Sequence, residues 1–252
     1  MPSSAHRSLH KMEILLLPIA LYLMQLRARG LESIYTLKMT GKPSELKWRC
    51  SAVAVTLLLS AACAGCGSWS GFGFRADGPE MPRLRQVLTL ETGKVVADVG
   101  AGEGGLTLAL AREVGSNGRV FSTEIDPERL RRLREAVAAA RLDNVTVVEA
   151  SVGETGLPPN CCDAIVLRRV YHHLTDPSGV NAGLLRSLRP GGVLAVIDFP
   201  PPFFFSRGSF GVPAKTVIGE VTSRGFELLR LIDDWPGRGP LESYCVVFHK
   251  SP

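Results

Sequence analysis

The segment Asp98-Val99-Gly100-Ala101-Gly102-Glu103-Gly104-Gly105 follows a Val-rich run, Val95–Val99, and precedes an apolar stretch of helical spacing, Leu106–Val114. Glycines at a strand-to-helix turn let the backbone bend tightly and approach a ligand that a Cβ would hold off. The start of the helix adds free N–H groups. The same residues satisfy a dinucleotide pattern (Gly100, Gly102, Gly105) and a Gly-x-Gly-x-Gly pattern (Gly100, Gly102, Gly104), with a purely structural turn as the bland alternative. Glu124 ends the next Val-containing run, twenty residues after Gly104, where a carboxylate can accept both hydroxyls of a ribose. Asp98 sets a second carboxylate beside the turn. It suits an ammonium or sulfonium group and repels a pyrophosphate, so a cationic, adenosine-containing cofactor fits the pair better than a nicotinamide dinucleotide does.

These residues need elements to hold them. Short Val- and Ile-rich runs alternate with helical stretches: Val95–Val99 then Leu106–Val114, Arg119–Glu124 then Glu128–Ala140, Val145–Val148, Ala164–Val170 then Gly179–Leu188, Val193–Phe199 then Val212–Arg224, Phe226–Leu231, and Tyr244–His249. Such alternation predicts a mostly parallel sheet covered on both faces. The last two runs have no helix between them, only Asp233–Pro240, and predict an antiparallel hairpin. The expected fold is α/β, a Rossmann-like three-layer sandwich.

With Asp-x-Gly-x-Gly-x-Gly, Glu124-Ile125-Asp126-Pro127, Cys162-Asp163-Ala164-Ile165-Val166-Leu167, His172-His173-Leu174 and Leu188-Arg189-Pro190-Gly191-Gly192, residues 81–250 closely resemble the class I S-adenosylmethionine-dependent methyltransferases. The resemblance implies a seven-stranded sheet whose last strand is antiparallel, and S-adenosyl-L-methionine as cofactor. It also implies roles: Gly100, Ala101, Gly102 and Gly104 around the methionine part, Asp98 near its amino group, Glu124 on the ribose and Ile125 against the adenine. Ser151, followed by Val152, falls where relatives often carry an Asp that bonds the adenine amino group. Arg168 falls where the family lines the cofactor from the substrate side, with a solvated or paired arginine as the competing reading.

Methyl transfer from a sulfonium is an in-line displacement that positioning and desolvation can largely drive, so no fixed catalytic residue is required. For a hydroxyl acceptor a general base helps, and His172 or His173 could serve; Tyr171 stands in the same position. After the fifth run, Phe203, Phe204, Phe205 and Phe210 place four Phe in eight residues, expected as a lid over a small apolar or lipid-like acceptor, with packing against the sheet edge as the alternative. Two other function classes compete: a domain that binds the cofactor without catalysis, and a nicotinamide-dependent oxidoreductase. Tyr171 is followed four residues on by Thr175, not Lys, which counts against the short-chain form of the latter.

The formal charge of +5 is confined to one end. Residues 1–65 hold eight Lys/Arg and three Asp/Glu, whereas residues 66–252 hold twenty-one of each, so nucleic acid is not expected as a partner. No metal site is expected, and no oligomeric state is assigned. Two apolar runs, 14–26 and 51–62, fall short of the roughly 20 residues of a spanning helix. The second has basic residues ahead and small residues behind, the shape of an export signal. Its end, Ala64-Gly65-Cys66-Gly67-Ser68, resembles a bacterial lipoprotein site with Cys66 favoured over Cys63 as the lipidated residue. Met39, 27 residues before Cys66, is the better start for such a leader. The expected organisation is a superfluous or membrane-associated extension (1–38), a leader (39–66), a Gly-rich linker (67–80) and the methyltransferase domain (81–252). The leader predicts membrane anchoring at a bacterial envelope, against a cytoplasmic alternative that suits a cofactor made in the cytoplasm. The six cysteines form no disulfide framework; Cys161, Cys162 and Cys245 are expected as small buried or edge residues.

Overall fold

A computed structural model describes residues 74–201, 211–236 and 243–252. The leader with Cys66, and Phe203, Phe204, Phe205 and Phe210, lie outside the described residues. In chain order the elements are α1 (Glu80–Leu88), β1 (Val95–Val99), α2 (Gly105–Val114), β2 (Arg119–Glu124), α3 (Pro127–Ala140), β3 (Val145–Glu149), β4 (Cys162–Arg168), a 3-10 turn (Tyr171–His173), α4 (Pro177–Ser187), β5 (Leu188–Asp198), α5 (Ala214–Thr222), β6 (Phe226–Trp235) and β7 (Ser243–Lys250). The seven strands form one sheet in the order β3-β2-β1-β4-β5-β7-β6. β1 to β5 pair in parallel, while β7 lies antiparallel between β5 and β6.

Period-2 alternation explains why both faces are covered. Val96, Ala164, Val166, Ala195 and Ile197 pack on one face with Met81 and Leu84 of α1 and Leu106 and Leu110 of α2. Their neighbours Ala97, Ile165, Leu167, Leu194 and Val196 pack on the other with Leu184 of α4 and Val217 and Val221 of α5. Two helices are started by the same device. Asp126 accepts from Arg129 N at 2.8 Å and Asp176 from Gly179 N at 3.0 Å, each followed by a proline at the first helical position.

Three expectations change. Phe74 packs against the core and α1 opens at Glu80, so ordered structure begins within the stretch assigned to a linker. β6 runs on through Trp235, taking Asp233 and Asp234 out of the hairpin connection. Cys162 and Cys245 are buried as expected, but the adjacent Cys161 and Cys162 are joined by a disulfide. Among the described residues no helix is long and apolar enough to cross a membrane, and no group of metal-ligating side chains occurs.

Candidate active site

In an open parallel sheet, ligands bind outside the carboxyl ends of the strands where the order reverses. Here the chain winds from β1 to β2 and β3 on one side and onward from β4 to β5 on the other, so that place lies between β1 and β4. The glycine turn leaves β1 there and the Tyr171–His173 turn follows β4. Gly100 takes φ +73°, and a Cβ on it would stand 2.5 Å from Val170 Cγ2, because the two turns touch. Gly102 takes φ +58° with nothing within 4 Å of its would-be Cβ, so its backbone lines open space.

Glu124 sits at the end of β2 and is buried. Its Oε2 accepts from Gly102 N at 2.8 Å, and Oε1 from Ile125 N at 2.8 Å and Asp126 N at 3.0 Å. The carboxylate therefore shapes the glycine turn. Glu124→Gln replaces one oxygen with a donor that opposes a backbone N–H. The expected result is at least tenfold weaker binding of S-adenosylhomocysteine, from loss of a charge-assisted bond of about 1.5–3 kcal/mol, and a smaller loss for free methionine, which has no ribose. Equal losses in calorimetry would confine Glu124 to the turn.

Asp98 lies deeper than its place in the sequence implied. It is buried in β1, its Oδ2 accepting from Thr107 Oγ1 at 2.7 Å, and Thr107 in turn shares a 2.6 Å hydrogen bond with Ser122 Oγ. Burial pushes its carboxyl up to about 6, opposed by the Thr107 hydrogen bond and the Arg168 charge. Thr107 and Ser122 went unnoticed in the sequence. A hydroxyl one turn into the helix after the glycines, facing a strand serine, was the available signal.

Arg168 is the paired arginine of the two readings. Its Nε donates to Glu80 Oε1 at 2.8 Å, with side chains 12% and 10% exposed, and its guanidinium lies 5.3 Å from the Phe74 ring centroid. Trp235 Nε1 also donates to Glu80 Oε1, at 3.0 Å. This contact ties α1 to β4 and β6.

The two candidate histidines differ. His172 Nδ1 lies 2.8 and 3.0 Å from the two oxygens of Asp198, at the end of β5. His173 is exposed, has no hydrogen-bonded carboxylate among the described residues, and is held below the usual imidazole range by partial burial and then by His172. Tyr171 is committed to the scaffold: it donates to Glu220 Oε2 at 2.9 Å and accepts from Asn181 Nδ2 at 2.8 Å, pinning the turn to α4 and α5.

The residues present fit an S-adenosyl cofactor on three counts: the open cradle at Gly102, the Glu124 carboxylate that holds the Gly102 N–H, and two exposed apolar side chains, Ile125 (51%) and Val152 (67%), beyond the ends of β2 and β3. Unspent apolar surface there suits an adenine ring. Ser151 is exposed next to Val152 and pairs through its backbone with Glu154.

Comparison with known proteins agrees with this geometry. A family model described as a methyltransferase domain matches residues 97–196. The ubiquinone/menaquinone biosynthesis C-methyltransferase of Enterobacter sp. (strain 638) is 32% identical over 147 residues, 56% of this chain and 58% of that protein. Its namesake from Marinomonas sp. (strain MWYL1) is 32% identical over 114 residues, 45% of each. The chain thus spans about half the length of the curated relatives it matches. Among solved structures, a SAM-dependent methyltransferase from Aquifex aeolicus superimposes with a TM-score of 0.60 at 23% identity, over 75% of this chain and 96% of that one. Phosphoethanolamine N-methyltransferase 2 from Haemonchus contortus, in complex with S-adenosyl-L-methionine, gives 0.59 at 14% identity over 69% and 52%. The structural likenesses speak to the fold and the family model to residues 97–196, which carry a methyltransferase domain of the class I S-adenosylmethionine-dependent kind.

Proposed function

We propose that this chain transfers the methyl group of S-adenosylmethionine to a small, apolar acceptor held at the crevice between β1 and β4. The observation that carries this reading is the open backbone of Gly102, held by Glu124 at the end of β1 and facing a second turn that carries His172, with Asp98 buried in the strand that leads into it. The cofactor supplies an activated methyl on a good leaving group. The chain's own part is to bind it, to hold Asp98 and Glu124 against its cationic and ribose ends, and to orient the acceptor for in-line attack. The curated relatives carry the name of C-methyltransferases of quinone biosynthesis, so an apolar ring compound is the acceptor class to test first. The Phe203–Phe210 segment serves in this proposal as its cover, and residues 39–66 as a membrane attachment; both rest on sequence pattern.

The test takes the full chain. Calorimetry is expected to show binding of S-adenosylhomocysteine and none of NAD. Methyl-tritiated S-adenosylmethionine is expected to label a low-molecular-weight, solvent-extractable product in a cell extract. Binding without label would favour a non-catalytic module, and binding of NAD alone would end the proposal.

A further inference from the structure

We propose that the Cys161–Cys162 disulfide is a thiol–disulfide exchange site, opened by a dithiol reductant at Cys161, and that its state sets how firmly the crevice holds the cofactor. The control acts from the amino ends of the strands, opposite the crevice, and its effect on the cofactor rests on the methyltransferase reading above.

A disulfide between sequence neighbours closes almost no chain loop, so it gains little of the restriction of the unfolded chain that makes most disulfides stabilising. Stapling the fold is a poor account of this pair. Its constraint is local. Successive side chains of a strand point to opposite faces, whereas a ring through neighbouring sulfurs gathers both on one side. β4 accordingly starts at Cys162 and not at Cys161, and its register against β5 slips between Cys162 and Ala164. The residue in the slip is Asp163. Its Oδ2 accepts from Val95 N, at the start of β1, at 2.8 Å, and its Oδ1 from Arg189 Nη1, on β5, at 2.6 Å. β1 is only five residues long, pairs with β4 from Val96 to Val99, and leads straight into the glycine turn. Opening the ring frees the backbone next to Asp163 and loosens that hold on β1.

Access and charge both suit exchange. Cys161 is partly buried behind an exposed turn, residues 158–160, whereas Cys162 is fully buried, so a reductant reaches only Cys161 Sγ. Two cations meet at that turn. Arg189 Nε donates to Asn160 O at 3.3 Å, and Lys250 Nζ donates to Asn160 Oδ1 at 3.2 Å and Leu188 O at 2.8 Å. Asp163 offsets the first charge, while Lys250 has only those neutral partners among the described residues. Positive charge near a sulfur favours the thiolate that exchange needs. In the first step a thiolate of the dithiol bonds to Cys161 Sγ, the Sγ–Sγ bond breaks, and its electron pair leaves on Cys162 Sγ, which takes up a proton. The dithiol's second thiol then loses its proton, attacks the reductant's sulfur in the mixed disulfide and releases Cys161 as a thiolate. Two electrons pass to the cysteine pair, and the dithiol ends as a cyclic disulfide.

The full chain prepared without reductant is compared with the same protein after dithiothreitol and with Cys161→Ser. Under native conditions, N-ethylmaleimide and peptide mapping are expected to find 161 and 162 unlabelled before dithiothreitol and both labelled after it, with the buried Cys245 unlabelled throughout. NMR is expected to show the Val95 amide exchanging about tenfold faster in the reduced parent and in Cys161→Ser. Calorimetry is expected to show both binding S-adenosylhomocysteine about threefold more weakly than the oxidised parent. Oxidised glutathione should restore the parent and leave Cys161→Ser unchanged. Labelling before reduction, or only after denaturation, overturns the exchange site. Equal Val95 exchange or equal affinity in the two states overturns the control. Binding of S-adenosylhomocysteine in neither state removes the methyltransferase reading and the control with it, whereas the labelling pattern still decides the exchange site.

Discussion

Binding of S-adenosylhomocysteine is expected to weaken about tenfold between pH 7 and pH 5, and to be weak at both values in Asp98→Asn. The cause is the depth of Asp98. Its carboxyl is raised to about 6 by burial in β1, because the Thr107 hydroxyl and the Arg168 charge offset only part of the cost of holding a charge away from water. In the proposed site the ligand's ammonium would recognise the ionised form, which predominates at pH 7 and falls to about a tenth one unit below the midpoint. Stability of the unliganded chain runs the other way. A carboxyl whose folded value lies above its unfolded value of 3.8 contributes stability that is fully present below that value and lost as pH rises through about 6. Unfolding by urea should therefore favour Asp98→Asn over the parent progressively between pH 4 and pH 7, by up to about 3 kcal/mol. The asparagine keeps an acceptor for Thr107, which an alanine would not, so this variant separates ligand recognition from packing. Affinity that is flat across pH 5 to 7 would remove Asp98 from the ligand's cation.

What the sequence revealed and what it hid follow from separation along the chain. The glycine turn, Glu124 and the strand runs are local patterns, and the order of elements follows from them because each βα unit declares its own period. The terminal hairpin was legible for the same reason: two apolar runs with no helix between them can only return antiparallel. The ranges drifted at strand ends, where Asp233 and Asp234 look like turn residues yet continue β6 as exposed edge positions. α1 was not seen as a helix although Met81, Leu84 and Leu88 carry its spacing, because Pro82 interrupts it; a proline in the first turn costs nothing there. The pairings that define the site were out of reach. His172 and Asp198 are 26 residues apart and meet only because β4 lies beside β5, with Arg168 opposite Ile197. Either histidine after β4 looked equally able to act as a base. The only local sign was an aspartate closing an otherwise apolar run, at the level where β2 ends in Glu124.

Glu80 and Arg168 lie 88 residues apart, and breaking their contact is expected to be the most destabilising single change in the described fold. Both side chains are about nine-tenths buried, and Glu80 Oε1 also holds Trp235 Nε1 at the far edge of the sheet. Glu80→Ala leaves a buried guanidinium without its counter-charge and an indole without its acceptor, which costs about 3–5 kcal/mol and roughly 10 °C or more in Tm. Replacing both members by Glu80→Gln and Arg168→Leu keeps an acceptor for Trp235 and removes both charges, so the double variant should recover most of that loss, with a coupling of about 2 kcal/mol in the cycle completed by the single variants Glu80→Gln and Arg168→Leu. The same cycle reports on the site. The Arg168 charge lowers the Asp98 carboxyl, so Arg168→Leu lets burial raise it further, and the pH below which S-adenosylhomocysteine binding weakens should move above about 6. A stability loss in Glu80→Ala that the double variant fails to recover would reduce the pair to packing. An unchanged binding profile in that double variant would show that Arg168 serves the fold and has no hold on the Asp98 carboxylate.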